Sequence, residues 1–530
     1  MGRKWTGWAY HPLLVAPFPV LSLYAQNAGV VGADEPWLAI GLLLAGSFIF
    51  GLGCWFLTRD PDKAALLTTA AAACFWLYAP WCRWFADAAA PAPVRWYAPW
   101  AWLVASLALI ATIARTRRRL DAATRVLNVT ATCATAAALI FAGWQELTHG
   151  GAGAARPDRA VDVEGAGTGA RPQRLPDVYF IVLDGFGRPD VLQRRYELDW
   201  TLADALEAQG FFVARESSSN YNTTLHSIPS ALNFDYLQDL LPAVGEATRS
   251  GTPLVQLVRD NAVMRRLRPL GYKFVAYSSG YYATECPDAD EYLRPRWALT
   301  EFQMEILNMT PLVLAQRGRT MLSPYRAHRR RIIEAFESLP AQADAPGPRF
   351  VFVHMVTPHH PYVFGENGED VSPYHRPFRF NVFRGAKGTD AGRAAHTAGY
   401  RGQAIYVSKI VAAAVAEVLK RSAEPPIIII QGDHGPSAGP WGYPRAERYA
   451  ILNAYYLPDG GRDHLYPSIS PVNTFRVVLN HYFDARLPLL PDRRYFTTYD
   501  WPFRFTPAGV SAADHDPSGS RRDSRDSIEG

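Results

Sequence analysis

Apolar residues are arranged along this chain in two regimes. Over the first 147 residues they form long stretches. Positions 5–33, 37–57, 64–82, 96–114 and 126–145 contain no Asp, Glu, Lys or Arg. Each has about the length a helix needs to cross a bilayer core, roughly 20 residues. Trp96, Tyr97 and Trp100 sit at the end of one stretch, where a membrane interface favours aromatic rings. Pro12, Pro17 and Pro19 predict that the first helix is kinked. Five membrane helices within residues 1–147 are the reading. From residue 177 the pattern changes. Short apolar runs at 178–183, 211–214, 274–277, 350–356, 426–431 and 454–457 read as strands. Stretches with helical periodicity lie between them, at 200–209, 254–267, 326–338, 404–421 and 474–483. Strands alternating with helices predict an α/β domain over 177–508, with a mostly parallel sheet covered on both faces. Residues 148–176, rich in Gly, Ala, Arg and Pro, read as a flexible linker, and the polar residues 509–530 as a disordered tail.

Charge orients the membrane part. Arg3 and Lys4 precede the first stretch, Arg59 and Lys63 join the second to the third, and Arg115, Arg117, Arg118, Arg119 and Arg125 join the fourth to the fifth. The alternate loops carry Asp34 and Glu35, then Asp87 with Arg83 and Arg95. The positive-inside rule puts the amino terminus in the cytoplasm. An odd number of spans then puts the α/β domain outside the cell membrane. This predicts a multi-pass protein of a bacterial inner membrane with an extracytoplasmic catalytic domain. The formal net charge of +5 is small for 530 residues, and the arginines cluster beside the membrane stretches, so nucleic acid is not expected as a partner. Cys286 is the only cysteine beyond residue 147, so the α/β domain has no internal disulfide.

Four polar elements follow apolar runs. The run ending at Leu183 stops at Asp184-Gly185, and the isoleucine run 427–430 leads to Asp433-His434-Gly435. Parallel strands ending in carboxylates and imidazoles present metal ligands at the carboxyl edge of a sheet. An adjacent Asp and His suit Zn²⁺ or Mn²⁺, with Mg²⁺ a further option. The third element is the loop Asn220-Tyr221-Asn222-Thr223-Thr224, which runs into a helix. A hydroxyl there is either a helix cap or a group aimed at an anion on the free helix amides. The fourth, after the 350–356 run, contains His354, His359 and His360. Gly185 and Gly187 lack the third glycine of a dinucleotide fingerprint.

In this order the four elements resemble the alkaline phosphatase/sulfatase superfamily. With five amino-terminal spans, they are most similar to its membrane-anchored branch of lipoteichoic acid synthases and phosphoethanolamine transferases. The resemblance implies an alkaline-phosphatase-like α/β/α sandwich. It implies Asp184, Asp433, His434 and Thr224 as ligands of one divalent metal and Thr224 as nucleophile, with Thr223 as the alternative. His359 would hold a phosphate oxygen or the leaving group. His354, His360, Asn222 and Arg448 would contact substrate, with Asn220, Asn233 and Arg445 nearby. The implied reaction moves a phospholipid head group, of glycerol phosphate or phosphoethanolamine type, from a lipid donor to an envelope glycan or lipid through a covalent threonine intermediate. The alternatives are a phosphatase, phosphodiesterase or sulfatase-like hydrolase, or an inactive membrane relative. The chain lacks the Cys-x-Pro-x-Arg nucleophile sequence of formylglycine sulfatases: Thr224-Leu225-His226-Ser227-Ile228 stands there instead.

Overall fold

The computed structural model describes residues 8–87, 92–145, 147, 174–199, 201–296, 298–316, 318, 320–373, 378, 380, 389–436 and 445–508. The expected linker up to residue 173 and the expected tail lie outside them. The chain divides into two compact units, one of Met1–Ala152 with Leu299–Thr320, the other of Gly153–Ala298 with Met321–Gly530.

In the first unit all five apolar stretches are helical. The first is broken into α1 (His11–Val15) and α2 (Phe18–Asn27), with Pro17 between them. Then come α3 (Glu35–Thr58), α4 (Pro61–Asp87), α5 (Ala92–Arg115) and α6 (Asp121–Gln145). The last four are long and apolar enough to span a membrane. Their outer surface is hydrocarbon: Leu38, Leu42, Phe48, Ile49, Val104 and Ile140 are between 62% and 72% exposed. A surface of that kind matches a lipid environment. Nothing in the sequence marks the return of 299–320 to this unit. Its helix Glu301–Asn308 packs Phe302 and Ile306 against Val20 and Trp76, and Thr300 Oγ1 donates to Glu35 Oε2 at 2.6 Å.

The second unit is built on a seven-stranded sheet. Its strands are β1 (Val178–Leu183), β2 (Phe212–Val213), β3 (Lys273–Tyr277), β4 (Glu291–Leu293), β5 (Arg349–Met355), β6 (Ile427–Gly432) and β7 (Asn453–Tyr456), in the order β2-β7-β6-β1-β5-β3-β4. β6, β1, β5, β3 and β4 are mutually parallel, while β7 runs antiparallel to β6 and β2 antiparallel to β7. All six residues of β1 are fully buried, so both faces of the sheet are covered. The expected 254–267 helix is two helices, Thr252–Arg259 and Ala262–Leu267, because the Asn261 side chain caps the second by accepting from Met264 N. Asp390–Arg421 is also apolar and long enough to span a membrane, yet it is a helix of this unit, half buried, packed against the 3₁₀ segment Leu339–Asp344 and the Pro189–Tyr196, Leu202–Ala208 and Pro324–Ser338 helices.

Candidate functional site

The central strand sets the site. In register, Leu183 of β1 pairs with Met355 of β5 on one side and Gly432 of β6 on the other. Asp184, the chain after β5, and Asp433 with His434 therefore leave the sheet at one level. Gly185 makes the turn out of β1 with φ +71°, a conformation that disfavours residues with a Cβ. The Gly185 amide donates to Asp433 Oδ1 at 2.9 Å, locking one carboxylate to the turn that carries the other. Tyr400, on the Asp390–Arg421 helix, donates its hydroxyl to Gly185 O at 2.9 Å and accepts from Gly187 N at 3.2 Å. One turn further on, Gln403 Nε2 donates to His359 O at 2.9 Å. One helix thus holds both the Asp184 turn and the histidine loop.

Asp184, His354 and Asp433 each offer one ligand atom, and all three atoms lie within 4.8 Å of one another. All three residues are buried. His434 Nε2 is 3.5 Å from Asp184 Oδ1 and 3.4 Å from Asp433 Oδ2. Its Nδ1 faces Gly435 O at 2.9 Å; a carbonyl can only accept, so the proton is on Nδ1 and Nε2 keeps its lone pair. His354 Nδ1 is 2.7 Å from Thr284 Oγ1, and its Nε2 has no hydrogen-bond partner. Burial, and next the charge of Asp433, pushes the Asp184 carboxyl well above the usual carboxylate range. Burial holds His354 down to about 4, and burial followed by the Arg448 charge holds His434 well below its ordinary value. Two buried carboxyl groups beside two imidazoles, with the shifts set by burial and mutual charge, form a donor set of the kind that binds a cation. The residues present fit a divalent metal of the Zn²⁺ or Mn²⁺ type.

The hydroxyl loop arrives from the other side. Thr223 is the cap of the wholly buried helix Thr224–Leu232. Its Oγ1 is 2.6 Å from His226 Nδ1, and His226 Nε2 is 2.7 Å from Pro502 O. The carbonyl fixes the proton on Nε2, so the Thr223 hydroxyl donates to Nδ1 and is used up. Thr224 is different: its Oγ1 lies 3.3 Å from His434 Nε2, the imidazole that also approaches the Asp184 and Asp433 carboxylates. Arg448 Nη2 donates to His434 Nε2 at 3.1 Å, and Arg448 Nε donates to Asn222 O at 2.8 Å.

The other expected contacts divide. Asn222 commits its side chain to the backbone of Thr497, donating to the carbonyl at 3.0 Å and accepting from the amide at 2.9 Å. It clamps the hydroxyl loop, with both its Oδ1 and its Nδ2 engaged on the Thr497 backbone. Asn220 and Asn233 likewise bond to backbone, on Arg493 and Val472 and on Pro229, Leu257 and Ala262. Arg445 lies over the Phe496 ring at 5.4 Å. His354, expected beside substrate, stands among the carboxylates. His359 stacks on His360 at 4.1 Å, and its ring centroid is 6.2 Å from that of His434. Its Nδ1–H donates to His360 O at 2.7 Å, which leaves a lone pair on Nε2, and burial pushes its pKa down to about 3. His359 in this state is a neutral ring that presents an acceptor lone pair on Nε2. Thr284, Tyr400, Gln403 and Thr497 hold the site and were not found from sequence. Each lies far along the chain from the residue it supports, with no local pattern to mark it. Cys286 is buried with its thiol pushed up to about 12, an inert core residue.

No family model and no curated protein matches this chain. Solved structures do. The C-terminal periplasmic domain of EptC from Escherichia coli, in a complex with Zn, is 14% identical over 64% of this chain and 93% of that one, with a TM-score of 0.40. The integral membrane protein lipooligosaccharide phosphoethanolamine transferase A from Neisseria meningitidis is 13% identical over 89% of this chain and 94% of that one, with a TM-score of 0.38. A protein in the alkaline phosphatase superfamily from Vibrio parahaemolyticus is 11% identical over 62% of this chain and 74% of that one, with a TM-score of 0.37. Among solved structures, this chain is similar to phosphoethanolamine transferases and to the alkaline phosphatase superfamily.

Proposed function

We propose that this chain is a membrane-anchored, metal-dependent transferase that moves a phospholipid head group, of glycerol phosphate or phosphoethanolamine type, to a hydroxyl of an envelope glycan or lipid. The observation that carries this reading is Thr224. Its hydroxyl starts a buried helix and lies 3.3 Å from His434 Nε2, which in turn approaches Asp184 and Asp433, while its neighbour Thr223 is bonded away. Thr224, Asp184, Asp433 and His434 would hold one divalent metal, with His354 as a further donor. Bound there, the metal supplies a lowered hydroxyl pKa and positive charge for phosphoryl oxygens.

In the first half-reaction Thr224 Oγ forms a bond to phosphorus and the bond from phosphorus to the diacylglycerol oxygen breaks. The threonine proton ends on that oxygen. In the second, the acceptor hydroxyl attacks the phosphothreonine, the Thr224 ester breaks, and the proton returns to Thr224. His359, with its Nε2 lone pair, would accept a hydrogen bond from the attacking acceptor hydroxyl and orient it. The backbone amides at the start of the Thr224–Leu232 helix and the Arg448 guanidinium favour the anionic phosphoryl group. Asn222 positions Thr224 and does not touch substrate. The membrane unit keeps the site near its lipid donor, which raises its effective concentration. The arginine-rich loops argue for an outward-facing catalytic unit on a bacterial inner membrane.

The test is diacylglycerol release from a mixed phospholipid panel by the detergent-purified chain with Mn²⁺ or Zn²⁺, with Thr224→Ala as control. Release that depends on Thr224 and on an added glycan or lipid acceptor supports transfer. Thr224-dependent release unaffected by any acceptor would make the chain a hydrolase. No release from any lipid, with metal bound, would overturn the reading.

A further inference from the structure

β3 brings a further set of polar residues to the same edge of the sheet. Its Tyr277 pairs with Val353 of β5, so the chain leaving β3 starts level with His354. There it forms a tight loop over residues 278–285. Ser278, Ser279 and Thr284 are buried, and the Glu285 carboxylate ties the loop together. That carboxylate accepts from Gly280 N at 2.6 Å, Ser279 Oγ at 3.0 Å, Ser278 Oγ at 3.1 Å and the Tyr292 hydroxyl. Ser279 Oγ lies 2.8 Å from Thr284 Oγ1, and Thr284 Oγ1 lies 2.7 Å from His354 Nδ1. A line of hydrogen bonds therefore runs from Glu285 through Ser279 and Thr284 to His354.

The carboxylate end sets the direction of every proton along that line. A carboxylate only accepts, so the single Ser279 hydroxyl proton goes to Glu285 Oε1. The Tyr281 carbonyl, 3.1 Å from Ser279 Oγ, draws on the same proton. Ser279 has none left for Thr284, so Thr284 donates to Ser279 Oγ. Thr284 in turn has none left for the imidazole, so His354 Nδ1–H donates to Thr284 Oγ1. The His354 lone pair is then on Nε2. That atom is buried without a hydrogen-bond partner and lies 3.8 Å from Asp184 Oδ2. The opposite polarity would put a proton on Nε2, where a metal needs a lone pair.

Given the proposed metal site, on which this step rests, we propose that the loop after β3 is a relay that commits His354 to the metal rather than to substrate, with Thr284 as the positioning residue. Partners that fix a ligating imidazole in one tautomer hold its lone pair on the metal, and losing one typically costs about 10–100-fold in metal affinity. The test reads the bound metal and not turnover. Full-length protein in detergent is loaded with Zn²⁺, its affinity is measured by chelator competition, and its ligands are read by X-ray absorption. The wild-type spectrum should show the imidazoles of His354 and His434 together, and His354→Gln should show that of His434 alone. Thr284→Val should weaken Zn²⁺ about tenfold or more, and Thr284→Ser should restore it. Ser279→Ala tests the direction of the protons. Ser279 has no hydrogen bond to His354, yet its loss frees the Thr284 proton to turn onto His354 Nδ1, so Zn²⁺ should weaken severalfold. Melting temperatures of the metal-free variants verify that they fold, and the wild-type spectrum decides the ligand question without any substitution. A wild-type site holding Zn²⁺ through one imidazole, or an affinity unchanged in both His354→Gln and Thr284→Val, would overturn the relay and leave the transferase reading standing. No Zn²⁺ binding by the wild-type chain would overturn both.

Discussion

Asn222→Ala removes a clamp, and the cost can be worked from its bonds. The Asn222 side chain is 9% exposed and makes two hydrogen bonds of ordinary length to the amide and carbonyl of Thr497. Alanine restores neither. It leaves a buried N–H and a buried C=O without partners, at about 1–3 kcal/mol each, so about 3 kcal/mol of stability in the second unit is at stake. The same loop carries Thr224 two residues later, so loosening it misplaces the nucleophile. A displacement of about 1 Å at reacting atoms costs on the order of 10²-fold in rate. The assay pairs a thermal melt with hydrogen exchange at the Thr497 amide. The expected outcome is a lower melting temperature, faster exchange of that amide and a fall in kcat with little change in KM. A variant with unchanged melting and exchange whose KM alone rises would refute the clamp and return Asn222 to the substrate.

Two further outcomes follow from buried groups. Thr223→Val should destabilise the fold by about 1–2 kcal/mol, since it leaves the buried His226 Nδ1 without its donor, while Thr224 still forms its covalent ester; loss of the ester with intact folding would move the nucleophile to Thr223. His328 lies buried against the Phe378 and Phe380 rings with its pKa lowered from 6.5 to about 3, chiefly by burial. Its folded value is depressed, so its contribution to stability is present above pH 6.5 and is lost as pH falls toward 3. By about pH 5 the loss is about 2 kcal/mol. His328→Phe should flatten that acid limb in denaturant melts compared at pH 7 and pH 5, and an unchanged slope would contradict the assignment.

Much of the fold was legible because its signals are local. A strand buried on both faces must be apolar along its length, so β1, β5 and β6 stood out, and the polar residues ending them marked the sheet edge. The proline-broken first membrane stretch was legible for the same reason. What escaped depends on contacts between distant residues. The three residues β4 (Glu291–Leu293) are too few to show a period. The Glu301–Asn308 helix reads like any amphipathic helix, and only its packing on Val20 and Trp76 assigns it to the membrane unit. In the site, residue types were legible and directions were not. Asn222 and His354 stand in the motifs where substrate contacts were expected, but Thr497 claims the first, and the second sits beside the carboxylates of Asp184 and Asp433. Thr223 and Thr224 are indistinguishable as letters; His226 separates them, because its ring can accept from only one.

The central claim is that Thr224 carries the phosphoryl group. The most direct measurement is intact-protein and peptide mass spectrometry of the full-length chain after incubation with metal and phospholipid, without an acceptor. The account predicts a head-group phosphate adduct on the peptide containing Thr224, absent in Thr224→Ala and present in Thr223→Val. Turnover of lipid by Thr224→Ala, or an adduct confined to another residue, would contradict it.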